Sequence, residues 1–253
     1  MLSETKSRLS ADKAGFAGKK IIHKADSRGY FDFGWLKTHH TFSFSDYHDP
    51  DRVNFGMLRV LNDDEIEGGQ GFGTHPHSDM EIVTVPLEGA LAHKDSTGGE
   101  GVIYPDEIQV MSAGTGILHS EFNHLSDGDS KLLQLWIFPD QKGHKPRYDQ
   151  KFFDSEERKN KFQFIVSPEK KEDNLWLNQD TYLSLTDLEK NKSLNYKIHT
   201  KGNGVYLFLI EGEISVGNEI LTKRDGIGIS ETDEFSITAN SDSKILLIEV
   251  PMV

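Results

Sequence analysis

Apolar residues in this chain fall in short runs, set apart by clusters of Gly, Pro, Asn and Asp, and rarely recur at helical spacing. Gly34-Trp35-Leu36 and Thr41-Phe42-Ser43-Phe44 alternate aromatic with small or polar positions, as strands do when successive side chains point to opposite faces. Residues 56–61 read as a strand that ends in an Asn62-Asp63-Asp64 turn, and the Gly-rich residues 68–73 as a flexible turn. Met80-Glu81-Ile82-Val83-Thr84-Val85 is a further strand, followed by a Leu87-Glu88-Gly89 turn. Strand character resumes at residues 90–93, 108–111 and 117–122, with turns at 95–99 and 112–116. The apolar strand 132–138 stops at Pro139. Many short strands with Gly and Pro punctuation predict an all-β sandwich or barrel.

Residues 140–160 are polar and carry the one helical patch, Ser155-Glu156-Glu157-Arg158-Lys159, so the connection between two units belongs there. β character then returns at residues 205–210, 214–216, 225–229 and 244–250. Both halves repeat one grammar. An apolar strand meets an X-Glu-Gly turn (Leu87-Glu88-Gly89; Ile210-Glu211-Gly212), and a strong apolar strand closes each half. This predicts an internal duplication in three segments: a polar arm at residues 1–20, a first barrel at 21–145 and a second at 146–253. Histidine pairs occur only in the first half; the second has His199 before its strand core. The second barrel is therefore expected to hold no metal.

Composition narrows the picture. The 253 residues are 36% hydrophobic and 10% aromatic, which supports real cores and argues against wholesale disorder. The net charge is −13, and the lysine pairs Lys19-Lys20 and Lys170-Lys171 read as solvated surface, so direct nucleic-acid binding is disfavoured. No apolar run approaches the roughly eighteen residues of a membrane span, and the first residues lack the apolar stretch of a secretory signal. Cysteine is absent, which removes disulfides and thiolate ligands and fits a cytoplasmic location.

The candidate chemistry lies in two pairs. His75-Pro76-His77 heads the central strand, and His119-Ser120-Glu121 comes some forty residues later. Positions i and i+2 of a strand share a face, so each pair can aim two ligands at one interior. Three imidazoles and a carboxylate suit Fe(II), Mn, Ni, Cu(II) or Zn alike. Glu81 competes with Glu121, because it has the same strand parity as His75 and His77; one would ligate and the other orient a ligand. Of His39-His40 at most one can face inward, and Phe42 and Phe44 suggest that it packs there. Asp63-Asp64-Glu65 has the wrong spacing for a calcium loop and reads as a solvated turn. The glycines at 68–73 lack the spacing and the following helix of a dinucleotide fingerprint. His119-Ser120-Glu121 has no cysteines to complete a deaminase site, and no zincin or nucleophile-elbow motif occurs.

Gly69-x5-His75-x-His77-x3-Glu81 resembles the first cupin motif, with a closing glycine near Gly89, and Gly116-x2-His119-x3-Asn123 resembles the tail of the second. More narrowly, Thr74-His75-Pro76-His77, Asp95-Ser96, residues 109–116, His119-Ser120-Glu121, residues 40–44 and Pro146-Arg147-Tyr148 are similar to the pirin family, over residues 21–253. The resemblance implies a bicupin: two facing double-stranded β-helix (jelly-roll) barrels, the first bearing metal and the second degenerate. It implies His75, His77, His119 and Glu121 as ligands, which favours Glu121 over Glu81. It also implies one divalent ion, with Fe(II) the first choice and Ni, Mn, Cu or Zn the alternatives. Bacterial pirins that this sequence resembles oxidise flavonols such as quercetin with O₂, releasing carbon monoxide, while the animal member is a nuclear co-regulator. The expected function is thus a quercetin 2,3-dioxygenase, with Glu121 as catalytic base and Phe72 and Met111 against the flat rings. The rivals are a metal- or redox-responsive module that binds a protein partner, and a dioxygenase for another phenolic or enol. An open metal position reached by a flavonol-sized cavity separates enzyme from module.

Overall fold

A computed structural model describes residues 18–252. Its strands follow in chain order as β1 (Lys19–His23), β2 (Gly29–Asp32), β3 (Leu36–His40), β4 (Leu58–Ile66), β5 (Gly71–His77), β6 (Glu81–Glu88), β7 (Leu91–Asp95), β8 (Glu100–Ile103), β9 (Glu107–Ser112), β10 (Ile117–Asn123) and β11 (Ser130–Ile137). The second half holds β12 (Arg147–Phe152), β13 (Gln163–Ser167), β14 (Leu175–Trp176), β15 (Tyr182–Leu188), β16 (Ser193–Lys197), β17 (Asn203–Glu211), β18 (Glu213–Val216), β19 (Glu219–Thr222), β20 (Gly226–Ser230), β21 (Glu234–Ala239) and β22 (Ser243–Pro251). Among the described residues helix is confined to short 3₁₀ turns at Ala25–Ser27 and Ser155–Arg158; the second is what the expected helical patch becomes. No helix among the described residues is long and apolar enough to cross a membrane.

The strands form two barrels, each a seven-stranded sheet closed by a four-stranded one. The first is β12-β9-β6-β11-β4-β3-β2 with β5-β10-β7-β8; the second is β1-β20-β17-β22-β15-β13-β14 with β16-β21-β18-β19. Alternation sorts the side chains. Val83, Val85, Leu133 and Leu135 of the first barrel meet Leu185, Phe208, Leu246 and Ile248 of the second in one buried cluster, so the outer sheet faces form a shared core. The second barrel is filled by Leu207, Leu247, Ile227, Ile214, Phe235 and their apolar neighbours.

The duplication is visible at the turns. Gly89 and Gly212 both take positive φ, 75° and 98°, which favours glycine. In each case an added Cβ would strike a serine Oγ, Ser130 at 2.5 Å and Ser243 at 2.3 Å. Each serine opens the last long strand of its barrel.

Four sequence expectations need correction. Most of the arm at 1–20 lies outside the described residues, but Lys19 and Lys20 already belong to β1, which pairs with β20 of the second barrel. Conversely β12, placed after residue 146, pairs with β9 of the first barrel. The barrels exchange edge strands, so no single cut near residue 145 separates them. Asn62-Asp63-Asp64 is no turn either: β4 runs through it, paired with β3 on one side and β11 on the other. The glycines at 71 and 73 lie within β5, and Gly71 has no room for a side chain, since its Cβ would meet the Glu121 carbonyl oxygen at 2.2 Å.

Because the two barrels share a core, Leu246→Ala should cost about 2–5 kcal/mol, the usual range for a fully buried leucine. Hydrogen exchange read by mass spectrometry should show β11 and β22 losing protection together. Loss confined to β22 would mean that the halves open independently.

Candidate metal centre

β5 and β10 are antiparallel neighbours, and their register sets His75 directly opposite His119. The ring centroids lie 4.4 Å apart, and His77 is 4.9 Å from each. The ligand nitrogens of the three fall within 4.8 Å of one another. A Nδ1–H of His75 donates to the Gly73 carbonyl at 2.8 Å, which leaves Nε2 with a free lone pair. His119 Nε2 is buried without a hydrogen-bond partner. Burial, reinforced by the neighbouring imidazoles, pushes His77 down to about 4 and His119 down to about 3. Both rings are thus uncharged at neutral pH, each with one nitrogen lone pair free for a metal. Three converging imidazoles, one with an orphaned buried nitrogen, fit a divalent transition metal.

Glu121 is buried on the same face of β10 as His119. Gln109 Nε2 donates to its Oε1 at 3.2 Å, and Gln134 Nε2 to its Oε2 at 2.8 Å. Those glutamines belong to a row of directly paired residues across six strands: His40, Asn62, Gln134, Thr84, Gln109 and Gln150. Paired residues share a face, so one row of the barrel wall is polar across six of the sheet's seven strands. Apolar clusters flank it, around Leu36, Ile66 and Leu132 on one side and Ile82 and Met111 on the other.

The expected ligands are brought to one region, but in two overlapping sets. His75, His77 and His119 form one, and His93, His119 and Glu121 the other. His93 was not anticipated, although His93-x-Asp95 has the same i, i+2 spacing as the other pairs. It sits on β7 opposite Glu121, with Asp95 opposite His119. Glu81 is elsewhere: Ser112 Oγ donates to it at 2.7 Å and Asn178 Nδ2 at 2.9 Å. Its parity with His75 fails because β5 ends at His77 and β6 starts a different sheet at Glu81. His40 does face inward, next to Asn62, while His39 packs at a tilt against the exposed Tyr30.

A cavity of about 520 Å³ opens at His75, His77 and Glu121. Phe31, Phe33, Trp35, Phe44, Phe72 and Trp136 give it flat apolar walls, and Thr38, His40, Asn62, Asp64 and Gln134 a polar side. Phe72 lines it as expected. Met111 does not; it is fully buried with Ile82 and Ile117. Thr38 Oγ1 donates to Asp64 at 2.5 Å. Burial pushes the Asp64 carboxyl up to about 7, helped by Asp63 and Glu121 against the Thr38 hydrogen bond.

Two facing jelly-roll barrels, one with three imidazoles converging on a cavity, define a bicupin with a metal-type centre. The family model Pirin matches residues 22–137, and the quercetinase C-terminal cupin domain matches residues 164–250. The quercetin 2,3-dioxygenase of Escherichia coli (strain K12) is 42% identical over 232 residues, 92% of this chain and 99% of that protein. A pirin-like protein of Caulobacter vibrioides is 38% identical over 225 residues, 88% of this chain and 96% of that one. The crystal structure of the Escherichia coli bacterial pirin YhhW in complex with nickel(II) matches with a TM-score of 0.88 at 40% identity, covering 93% of this chain and 100% of that chain. The chain belongs to the pirin family.

The raised Asp64 carboxyl sets a pH dependence. The folded chain holds this proton between the unfolded value of 3.8 and about 7, so the stability it contributes is full below that window and is lost as pH rises through it. Asp64→Asn lacks the proton and keeps an acceptor for Thr38. The variant should therefore gain melting temperature relative to the parent between pH 5 and pH 8, with metal-free protein in both cases. The lowered histidines act in the opposite sense but are common to both proteins and cancel. An equal difference at both pH values would remove Asp64 as the cause.

Proposed function

We propose that this chain is a metal-dependent dioxygenase that cleaves flavonols such as quercetin with O₂ and releases carbon monoxide. In this reading His75, His77 and His119 hold the ion, and Glu121 is the fourth ligand. The observation that carries it is an aromatic cavity of about 520 Å³ at that imidazole cluster. Ligand sites of about 300–1,000 Å³ suit small organic molecules, and a closed site would have favoured a protein-binding module. The family relationship to a quercetin 2,3-dioxygenase, and the nickel(II) complex of a relative, support the same reading.

The chain's own residues account for binding and proton transfer. Phe31, Phe72 and Trp136 line the cavity and offer faces for stacking flat rings. In this reading Glu121, fixed by two glutamine amides, takes the proton of the flavonol hydroxyl as general base. A bound divalent ion supplies Lewis acidity that favours the deprotonated hydroxyl. O₂ is the oxidant, and one ring carbon leaves as carbon monoxide. The apolar second barrel supports the first.

Protein reconstituted separately with Fe(II), Ni, Mn and Cu, and given quercetin in air, should release carbon monoxide with at least one ion. His119→Ala should lose both bound metal, read by elemental analysis, and turnover. Glu121→Gln should lower turnover by roughly 10²-fold or more, the scale of a lost general base. Full activity without metal, or tight metal binding with no carbon monoxide from any ion, would overturn the proposal.

A further inference from the structure

Beside the imidazole cluster runs a chain of buried hydrogen-bonding groups that fixes where the protons sit. Asp95 Oδ1 accepts from the backbone N–H groups of Thr97 and Gly99, at 2.7 and 3.1 Å, and from Thr97 Oγ1 at 2.7 Å. Asp95 Oδ2 lies 3.1 Å from His93 Nε2, and both side chains are fully buried. Burial alone would raise the Asp95 carboxyl, but these hydrogen bonds outweigh it and hold it below the usual range. A carboxylate can only accept, so His93 Nε2 carries the hydrogen. In a neutral ring His93 Nδ1 is then the acceptor. His119 Nδ1 lies 3.5 Å from it and must supply the hydrogen between them. This leaves the lone pair of His119 on Nε2, the buried atom without a partner on the cluster formed with His75 and His77.

We propose that Asp95 and His93 are positioning residues that lock His119 in the tautomer with a bare Nε2, ready to take a metal ion. The inference rests on His119 being a ligand, as read above. The geometry supports the arrangement beyond the hydrogen bonds. Register places Asp95 opposite His119 and His93 opposite Glu121. Tyr148 stacks on His93, with centroids 4.4 Å apart and planes at 17°, and its hydroxyl donates to Gln150 at 2.7 Å. The ring cannot easily turn away. His93, His119 and Glu121 also form a possible ligand set of their own, but an ion there would displace the hydrogen that joins the two rings.

The chain has a direction, and one atom reverses it. In Asp95→Asn, the three donors from Thr97 and Gly99 keep the amide oxygen at the Oδ1 position. The amide nitrogen then faces His93 Nε2 and donates to it. His93 Nε2 becomes an acceptor, Nδ1 carries the hydrogen, and His119 Nδ1 becomes an acceptor in turn. The hydrogen of His119 moves to Nε2, where it blocks the ligand position.

The test begins on the metal-free parent protein, with ¹⁵N NMR of its histidine rings. His119 should show a protonated Nδ1 and a bare Nε2; the opposite tautomer would overturn the proposal without any variant. Asp95→Asn should reverse the tautomer and weaken Ni(II) binding, measured by calorimetry, by about 10–100-fold, the scale for partners behind a ligand. In a His93→Phe background, which keeps the stack on Tyr148, Asp95→Asn should have no further effect on affinity. An additive loss would mark a merely structural role. Paramagnetic NMR of the Co(II)-loaded parent should show His75, His77 and His119 but not His93 as ligands; a His93 ligand signal overturns the relay. If the parent binds no ion, the ligand assignment fails, while the tautomer measurement still decides the chain of hydrogen bonds.

Discussion

A carboxylate buried inside a β-barrel must be hydrogen-bonded, or its desolvation costs several kcal/mol. Glu121 meets this requirement through Gln109 and Gln134, on strands that are not neighbours. β6 lies between them, and its inward residue at that level is Thr84. From this follows the row that crosses the barrel wall, since each polar group taken inside needs a partner on the next strand. Apolar clusters close over both sides of the row. The cavity is the space that this polar band, unlike a leucine layer, leaves unfilled.

The second barrel shows what the same architecture does without that requirement. Its paired inward residues are Leu207 with Leu247 and with Ile227, and its interior closes as an apolar core. It too buries a glutamate, Glu249, but that carboxylate is saturated. The backbone N–H groups of His199 and Thr200, the Tyr196 hydroxyl and the Asn203 amide all donate to it. Burial would raise its pKa, and the donors from His199, Thr200 and Tyr196 bring it below the usual range. Glu249 is a structural anchor. Glu121, held only by two side-chain amides and open to a cavity, retains lone pairs for another partner.

The strand grammar and the ligand pairs were legible in the sequence because both depend on a period of two. His75 with His77, and His119 with Glu121, are local facts that pairing then brought together. What the sequence hid was tertiary. Asn62-Asp63-Asp64 has the composition of a turn, yet Asp63 is neutralised by Arg28 and by Arg224 of the second barrel, and Asp64 is hydrogen-bonded to Thr38. Neighbours on other strands overrode local preference. His93 went unnoticed because its partner, Asp95, reads as the start of a turn, which it also is. Met111 has inward parity, but parity does not distinguish the apolar layer from the cavity beside it.

The exchange of edge strands ties these layers together. β12 follows the last long strand of the first barrel, yet returns to cover β9. It brings Tyr148 onto His93 and Gln150 to the end of the polar row. Asn178, further along, binds Glu81 at the base of the central strand. A polar row is a poor core on its own, since every member must be satisfied for it to match the apolar packing it replaces. The second half supplies some of those partners and buries the outer face of the same sheet. A barrel that keeps a polar interior for chemistry thus leans on one that filled its interior with leucine and isoleucine, which accounts for a duplicate without the histidine pairs remaining part of the fold.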